Sequence, residues 1–435
     1  MAEIKAPRGT IDRFPPESER YQYVIDSFLK AAYLHGYSLV NTPTFEETSL
    51  FARGVGESTD IVMKEMYSFQ DKGGRDLTLR PEMTAGVVRA LVEAKRQYHG
   101  QVEKLSYYGP MFRYERPQKG RYREFFQVGI EAIGENSPYC DVDVILTGWD
   151  FLLKCGINSE MMIVLVNSIG DSSDRAKYLN ILREYLRKFE NHLCEDCKVR
   201  LEKNTLRVFD CKNNACREFI VKAPRALDHI SDANKAHFDI VLKTLSSFGV
   251  QYRIVPELVR GLDYYTHTVF EIFPTGAEEA SQGALVGGGR YNGLFATLSD
   301  SKLDFPAVGF ASGVERVADA VNWKEKDSDS LSKLEFYIVV LDSEAMPEAY
   351  KIIRCLQDWG FSADIDYHGG KIKSQFKRSE EAGAKSVMII GSDEIAKRVV
   401  KWKPSKDREM ELQLSIFNDA CNCEEFKSII AKEIH

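Results

Sequence analysis

Several things are scarce or missing in these 435 residues, and each shortage narrows what the chain can be. No apolar run approaches the roughly 20 residues that a membrane span needs. The opening residues, MAEIKAPRGTIDRF, have no apolar core of the kind a secretory signal carries. No GxxxxGK[ST] segment occurs, so a P-loop nucleotide fold is disfavoured despite a glycine-dense stretch at 283–293. There is no excess of positive charge: 58 Lys and Arg against 65 Asp and Glu leave −7, so any grip on nucleic acid must come from local patches. Nine cysteines, an odd number, suit reduced thiols in a cytosol better than a disulfide framework. What is present is ordinary globular composition, 44% hydrophobic and 28% charged, in a chain long enough for two or three domains.

The densest local signal is GPMFRYERPQKGRYREFFQVGIE at 109–131. Arg113, Arg116, Lys119, Arg121 and Arg123 fall within eleven residues, offset only by Glu115 and the adjoining Glu124. Phe112, Tyr114, Tyr122, Phe125 and Phe126 are interleaved with them, and Pro117-Gln118-Lys119-Gly120 breaks the run. This predicts two antiparallel strands joined by a basic loop, with Phe112, Tyr114 and Arg116 on one face of the first. Guanidinium groups clamp phosphate oxygens and phenyl rings stack on bases, so the hairpin suits a nucleotide, a nucleic acid or both. A solvated basic hairpin is the plain alternative.

In chain order, residues 17–36 put Tyr21, Val24, Ile25, Phe28, Leu29 and Ala32 at helical spacing, with Gly36 as the stop. Residues 37–51 read as a strand with a turn at Pro43. Strands at 66–70 and through Leu77 and Leu79 follow, and a helix starts near Glu82 and runs to Leu91. Glu82 and Thr84 then sit at a strand-to-helix junction, where side chains either meet a ligand or cap the helix. Gln127 and Glu131 share a strand face with Phe125. An inward carboxylate beside aromatics needs a cation, so Glu131 should face a ligand ammonium or imidazole, or else an internal Arg.

Between 168 and 252 helices recur, one over 174–191, and four cysteines follow the spacing Cys194-x2-Cys197-x13-Cys211-x4-Cys216. Two close thiol pairs suit an all-thiolate tetrahedral zinc, structural rather than catalytic because no ligand position is left open. Four reduced cysteines in a helical insertion are the alternative. Further on, Arg260-Gly261 precedes an alternating strand that starts at Tyr264 and Tyr265. GALVGGGRYNG at 283–293 reads as a glycine turn between strands. Residues 307–321 read as a short strand, a Gly turn and an amphipathic helix carrying Arg316. A charged, Ser-rich stretch at 322–333 reads as a linker. Beyond it, strand and helix patterns alternate at 336–342, 346–359, 361–367, 371–383 and 386–391, which predicts a separate α/β module with a parallel core. It carries Lys371, Lys373, Lys377, Arg378 and further basic residues but no catalytic constellation, so it reads as a binding module.

Five separated segments together resemble a known family: GYSLVNTPTFEETSLF, TLRPEMTAG, FRYERPQKGRYREFFQVGIEAIG, LVRGLDYYTHTVFEI and AVGFASGVERV, in that order. The chain resembles the class II aminoacyl-tRNA synthetases, and among them the histidyl-tRNA synthetase family, over essentially its full length. RGLDYYTHTVFE separates the histidine enzymes from their glycine, proline and threonine relatives. Met83 departs from the pattern, since many relatives carry Gly there, but the flanking Glu82 and Thr84 are kept. The four-cysteine insertion is not a general trait of the family.

The resemblance implies an α+β fold: a class II catalytic core on a mainly antiparallel sheet (1–167 and 253–325), a helical insertion (168–252), a linker (326–333) and a C-terminal α/β anticodon-binding domain (334–435). It implies activation of L-histidine by ATP, with Mg2+ on the nucleotide, followed by transfer to tRNA(His), in a cytoplasmic homodimer without membrane contact. Arg113 and Arg260 would grip the α-phosphate as the catalytic cations, and Arg316 the γ-phosphate. Arg121 would also bind ATP, Phe125 would stack on adenine and Glu115 would read its amino group. Glu82, Thr84 and Gln127 would take the α-ammonium. Glu131 and Tyr264 would bond the imidazole, with Tyr265, Arg260 and Met83 completing the pocket. Arg116 and Gln118 would touch the tRNA acceptor end. A catalytically idle paralogue, a regulatory subunit of a histidine-biosynthetic phosphoribosyltransferase, usually loses LDYY, the hairpin arginines and the C-terminal module, all of which stand here. Synthetases for glycine, threonine or proline are disfavoured by RGLDYYTHT and Glu131. A structural or RNA-chaperone role leaves Arg113, Arg260 and Arg316 unexplained.

Overall fold

A computed structural model describes residues 3–433 except 58, 97–100, 117–120, 278–282, 300–303, 324–333, 368–369, 406–407 and 419–421. The linker expected at 326–333 therefore lies outside the described residues. The chain divides into two compact units, Met1–Trp323 and Lys324–His435.

The strands of the first unit are β1 (Ser38–Leu39), β2 (Phe45–Glu47), β3 (Tyr67–Gln70), β4 (Asp76–Leu79), β5 (Glu103–Phe112), β6 (Glu124–Ile133), β7 (Met162–Ser168), β8 (Tyr252–Ile254), β9 (Thr266–Pro274), β10 (Val286–Arg290) and β11 (Ala307–Gly313). Eight of these make one sheet in the order β1-β5-β6-β11-β10-β9-β7-β8, and β2-β4-β3 make a small antiparallel one. In the large sheet β1–β5 and β7–β8 pair parallel, and every other neighbouring pair is antiparallel.

The first helix, α1 (Glu17–Leu34), buries Val24, Ile25, Phe28, Ala31 and Ala32, the single stripe that the helical spacing marks out. Gly36, at φ +80°, supplies the left-handed turn that ends it. That stripe joins the apolar face of the sheet (Val128, Ile130, Val308, Phe310, Phe270 and Ile272) in one cluster, with residues of the helices Pro138–Lys154 and Val314–Ala320. Phe28 is fully buried there and meets Phe151 and Phe310 edge-on. Burial of one such ring contributes about 1.5–3 kcal/mol. The opposite face of the sheet carries polar side chains, among them Gln127, Glu131 and Glu271.

Three local expectations give way. The first hairpin strand stops at Phe112, because Tyr114 N donates to Glu65 O at 2.7 Å instead of to the facing strand, so Tyr114 and Arg116 do not continue its alternation. Residues 48–55 form a helix, its start falling within the 37–51 stretch read as a strand followed by a turn at Pro43. The Gly287-Gly288-Gly289 run is not a turn: it lies inside β10, hydrogen-bonded on both edges to β9 and β11.

Residues 172–247 hold four helices, Ser172–Arg187, Glu195–Lys203, Asn214–Ile220 and Asp232–Ser247. Their apolar cluster, with Tyr178, Leu182, Leu186, Cys197, Leu201 and Cys216, runs on into Tyr265 and Val269 of the sheet region.

In the second unit the strands β12 (Phe336–Val340), β13 (Ala363–Ile365), β14 (Ser386–Ile390), β15 (Val399–Ser405) and β16 (Arg408–Gln413) lie in the order β13-β12-β14-β15-β16. The first three are parallel, as the alternating pattern predicts; the antiparallel pair β15–β16 and the helix Cys423–Glu433 were not anticipated. Trp402, Phe336 and Phe426 fill its core. No described helix is long and apolar enough to cross a membrane.

Candidate functional site

Strand register builds the site. One row across the polar face of the large sheet runs Tyr107, Gly129, Ala311, Gly287, Glu271 through successive pairings of β5, β6, β11, β10 and β9. The neighbouring row sets Glu131 opposite Gly309, which pairs with Gly289. The middle of the sheet is thus floored by residues with little or no side chain, and large polar groups stand on both sides of it. A Cβ on Gly287 would collide with the Arg260 guanidinium, and one on Gly309 with the Glu131 carboxylate. The glycines that looked like a loop are the gap into which these side chains fold.

Over this floor lies a cavity of about 1040 Å3 lined by Arg113, Arg121, Arg260 and Arg316 together with Glu115, Glu271, Phe125 and Gln127. Arg113 is anchored by Nε to the Pro81 carbonyl at 2.9 Å, and its guanidinium carbon stands 5.2 Å from the Phe125 ring centre. Arg121 pairs with Glu115 at 3.1 Å, and Arg260 forms an ion pair with Glu271. Burial opposes charge on Arg260, but Glu271 holds it above its ordinary value. Burial, then the neighbouring Arg121 and Arg113, push Arg316 below its own. Cations that raise one another's free energy in this way are prepared for an anion of several charges.

A smaller pocket of about 60 Å3 shares Arg113, Gln127 and Arg260 with that cavity and continues to Glu82, Thr84, Glu131, Tyr264, Tyr265 and Tyr291. Glu131 is 1% exposed and pairs with no cation among the described residues: Thr84 Oγ1 and the Tyr107 hydroxyl donate to its Oε1 at 2.7 and 3.1 Å, and the Tyr291 hydroxyl to its Oε2 at 2.5 Å. The internal Arg considered as its partner is not among the described contacts. Burial pushes Glu131 up to about 8, against the pull of Tyr291 and Thr84. Glu82 both lines the pocket and caps the helix Thr84–Ala94, accepting from Thr84 N at 2.8 Å and Ala85 N at 3.0 Å. The capping reading of that junction therefore holds for Glu82, and both Glu82 and Thr84 face the pocket. Gln127 Oε1 is buried without a hydrogen-bond partner among the described residues. Tyr264 and Tyr265 wall the pocket with ring centres 4.7 Å apart.

The structure thus gathers Glu82, Thr84, Arg113, Glu115, Arg121, Phe125, Gln127, Glu131, Arg260, Tyr264, Tyr265 and Arg316 around two connected spaces. Met83 lines neither; it is 1% exposed and belongs to the apolar cluster that holds Tyr107 and Tyr291. Arg116 is exposed outside both, and Gln118 lies outside the described residues. Three contributors escaped sequence reasoning: Tyr107, Tyr291 and Glu271. Tyr107 and Glu271 lie on the polar face by strand alternation, but only cross-strand register shows that they flank glycines. Tyr291 is held from behind, where its neighbour Arg290 pairs with Asp141 at 2.5 Å, both fully buried. The four cysteine sulfurs also meet, all within 4.8 Å of one another.

Comparisons with known proteins point to one family. A family model described as Histidyl-tRNA synthetase matches residues 9–317, and one described as Anticodon binding domain matches residues 335–418. The chain is 46% identical to a histidine–tRNA ligase of Halothermothrix orenii, covering 90% of this chain and 92% of that protein. It is 40% identical to one of Bacillus subtilis, over 94% and 96%. The solved apo histidyl-tRNA synthetase of S. aureus aligns with a TM-score of 0.79 at 34% identity, covering 98% of this chain and all of that one.

Proposed function

The chain belongs to the histidyl-tRNA synthetase family, and on that footing we propose how its residues divide the work. The enzyme activates L-histidine with ATP, releases pyrophosphate, and charges tRNA with the histidine. A histidine carboxylate oxygen attacks the α-phosphorus, the bond to the bridging oxygen breaks, and its electron pair leaves with pyrophosphate. Negative charge gathers on the α-phosphate oxygens, so fixed cations matter more there than acids or bases.

Arg113 and Arg260 take the α-phosphate and Arg316 the γ-phosphate. Mg2+ would enter with the nucleotide as part of the substrate and would offset charge on the leaving pyrophosphate. Glu115 and Glu271 are already paired with Arg121 and Arg260, so the chain offers cations rather than a preformed metal cage. Phe125 stacks on adenine, and Glu115 reads its amino group once Arg121 turns to phosphate. Glu82, Thr84 and the unpartnered Gln127 oxygen take the α-ammonium. Glu131 and Tyr264 bond the imidazole, with Tyr265 as a wall and Met83 as packing behind it. A site that reads both ring nitrogens rejects isosteres by leaving its own buried groups unpaired, which is why none of these steps needs editing.

Arg116 and Gln118 at the hairpin tip guide the acceptor end, and residues 334–435 hold the anticodon. Leu39, Phe45, Phe69 and Tyr108 are 37–52% exposed near the β1 edge and the small sheet, which supports a homodimer through this face; sedimentation of the intact chain and of Phe45→Glu, expected to be dimer and monomer, checks it. The cytosol is the natural compartment.

The observation that carries this division is that Arg113, Arg260 and Arg316 share one cavity whose end is the Glu131 pocket. Single-turnover formation of histidyl-adenylate tests it: Arg113→Ala should slow that step strongly, whereas Arg116→Ala should leave it intact and slow transfer to tRNA. Equal effects on both steps would contradict the division.

A further inference from the structure

Cys194, Cys197, Cys211 and Cys216 take no part in the proposed reaction, yet they are more than loose thiols, and Cys211 lines the large cavity. The Cys194 and Cys211 sulfurs are 3.8 Å apart, and all four lie within 4.8 Å of one another. Zinc–sulfur bonds of about 2.3 Å in a tetrahedron put thiolates about 3.8 Å from each other. A disulfide would need about 2.05 Å, and an iron–sulfur cluster would hold its thiolates farther apart, across its own bulk. Backbone donors already point at the sulfurs: Cys194 N to Cys216 Sγ at 3.1 Å and Asn213 N to Cys211 Sγ at 3.4 Å. Such donors fix and stabilise metal-bound thiolates. Cys197 and Cys216 are buried.

The two cysteine pairs bracket residues 198–210, and that span reaches the catalytic loop. Asn204 Nδ2 donates to Asp263 Oδ1. Arg207 Nη1 donates to the Gly261 carbonyl at 2.8 Å, and its Nη2 to Asp60 at 3.2 Å. Gly261 follows Arg260 directly, and Arg207 and Phe209 line the same cavity as Arg260.

We propose that the four cysteines bind one Zn2+ as a closed structural site, and that this ion, through Asn204 and Arg207, holds the 260–263 loop and so positions Arg260. The metal claim stands on the cysteine geometry alone; the coupling rests on the adenylation role given to Arg260 above. Zinc closes the 198–210 span, and the closed span presents two side chains to one loop. Arg207 is proposed as a positioning residue: its guanidinium donates to the Gly261 carbonyl and to Asp60 and would act on the reaction through Arg260.

The test uses the full chain purified without chelator. Elemental analysis should find about one zinc per chain, with loss of the metal and a lower Tm in Cys197→Ser and in Cys216→Ser. Iron in its place, or no metal with four titratable thiols, overturns the site. Arg207→Ala should keep its zinc and its Tm while kcat for histidine-dependent ATP–pyrophosphate exchange falls on the order of ten- to a hundredfold, with a much smaller change in KM for ATP. Arg207→Lys should recover part of that loss. A zinc-loaded Arg207→Ala protein with wild-type kcat overturns the coupling. Wild-type exchange is measured first: a silent wild type overturns the adenylation reading, and the coupling with it, while the zinc count still decides the site.

Discussion

The Tyr291 hydroxyl stands 2.5 Å from Glu131 Oε2 and donates to it, although the two residues are 160 positions apart in the chain. With Thr84 and Tyr107 on the other oxygen, this donor fixes the carboxylate that is proposed to meet the imidazole. Tyr291→Phe removes a hydrogen bond to a charged or partly charged group, worth about 1.5–3 kcal/mol. KM for histidine should rise by roughly tenfold or more, with KM for ATP unchanged. Steady-state exchange kinetics checks both; an unchanged KM for histidine would remove Tyr291 from the pocket.

Glu131 also gives the empty protein a pH signature. Its carboxyl keeps its proton to about 8 when folded, through burial, against an ordinary value of 4.5. Between those values the folded state binds the extra proton, so this contribution to stability is complete below the lower value and is lost as pH rises through the higher one. Thermal melts of wild type and Glu131→Gln from pH 5 to 9 should diverge, the variant losing less stability as pH rises. His35 is raised to about 9 by its bonds to Asp143 and Asp150 and works in the same direction, so the difference between the two proteins is the informative quantity. Parallel curves would mean that Glu131 ionises normally.

Arg260 pairs with Glu271, and substitution can separate that pairing from the phosphate role proposed for it. Arg260→Ala should keep histidine binding by calorimetry but lose activation by about 2.7–4 kcal/mol of barrier, as when an oxyanion donor is removed. It also leaves the Glu271 carboxylate, 18% exposed, without its cation, which costs up to about 3–5 kcal/mol of stability. Adding Glu271→Gln should restore much of the Tm and none of the exchange rate. Recovery of both would make Arg260 merely structural.

How much of this was readable beforehand follows from the range over which each determinant acts. The helix at 17–34 and the parallel strands of the second unit were legible because helical spacing and apolar runs are local. The arginines and Glu131 stood out by type and context. The glycine run in β10 was misread because a missing side chain has no periodicity; its meaning is the Arg260 side chain that lies over it. Tyr107, Tyr291 and Glu271 were invisible because register across five strands places them. Asp141 and Arg290, fully buried 149 positions apart, give no sign of each other in sequence.

The most direct measurement is ATP–pyrophosphate exchange with histidine and with the two histidines methylated on one or the other ring nitrogen. Histidine should support exchange, and both methylated forms should fail or need far higher concentrations, because the proposed pocket has Glu131 and Tyr264 each bonding one ring nitrogen. Exchange with either methylated form at histidine-like concentration would contradict the pocket assigned here.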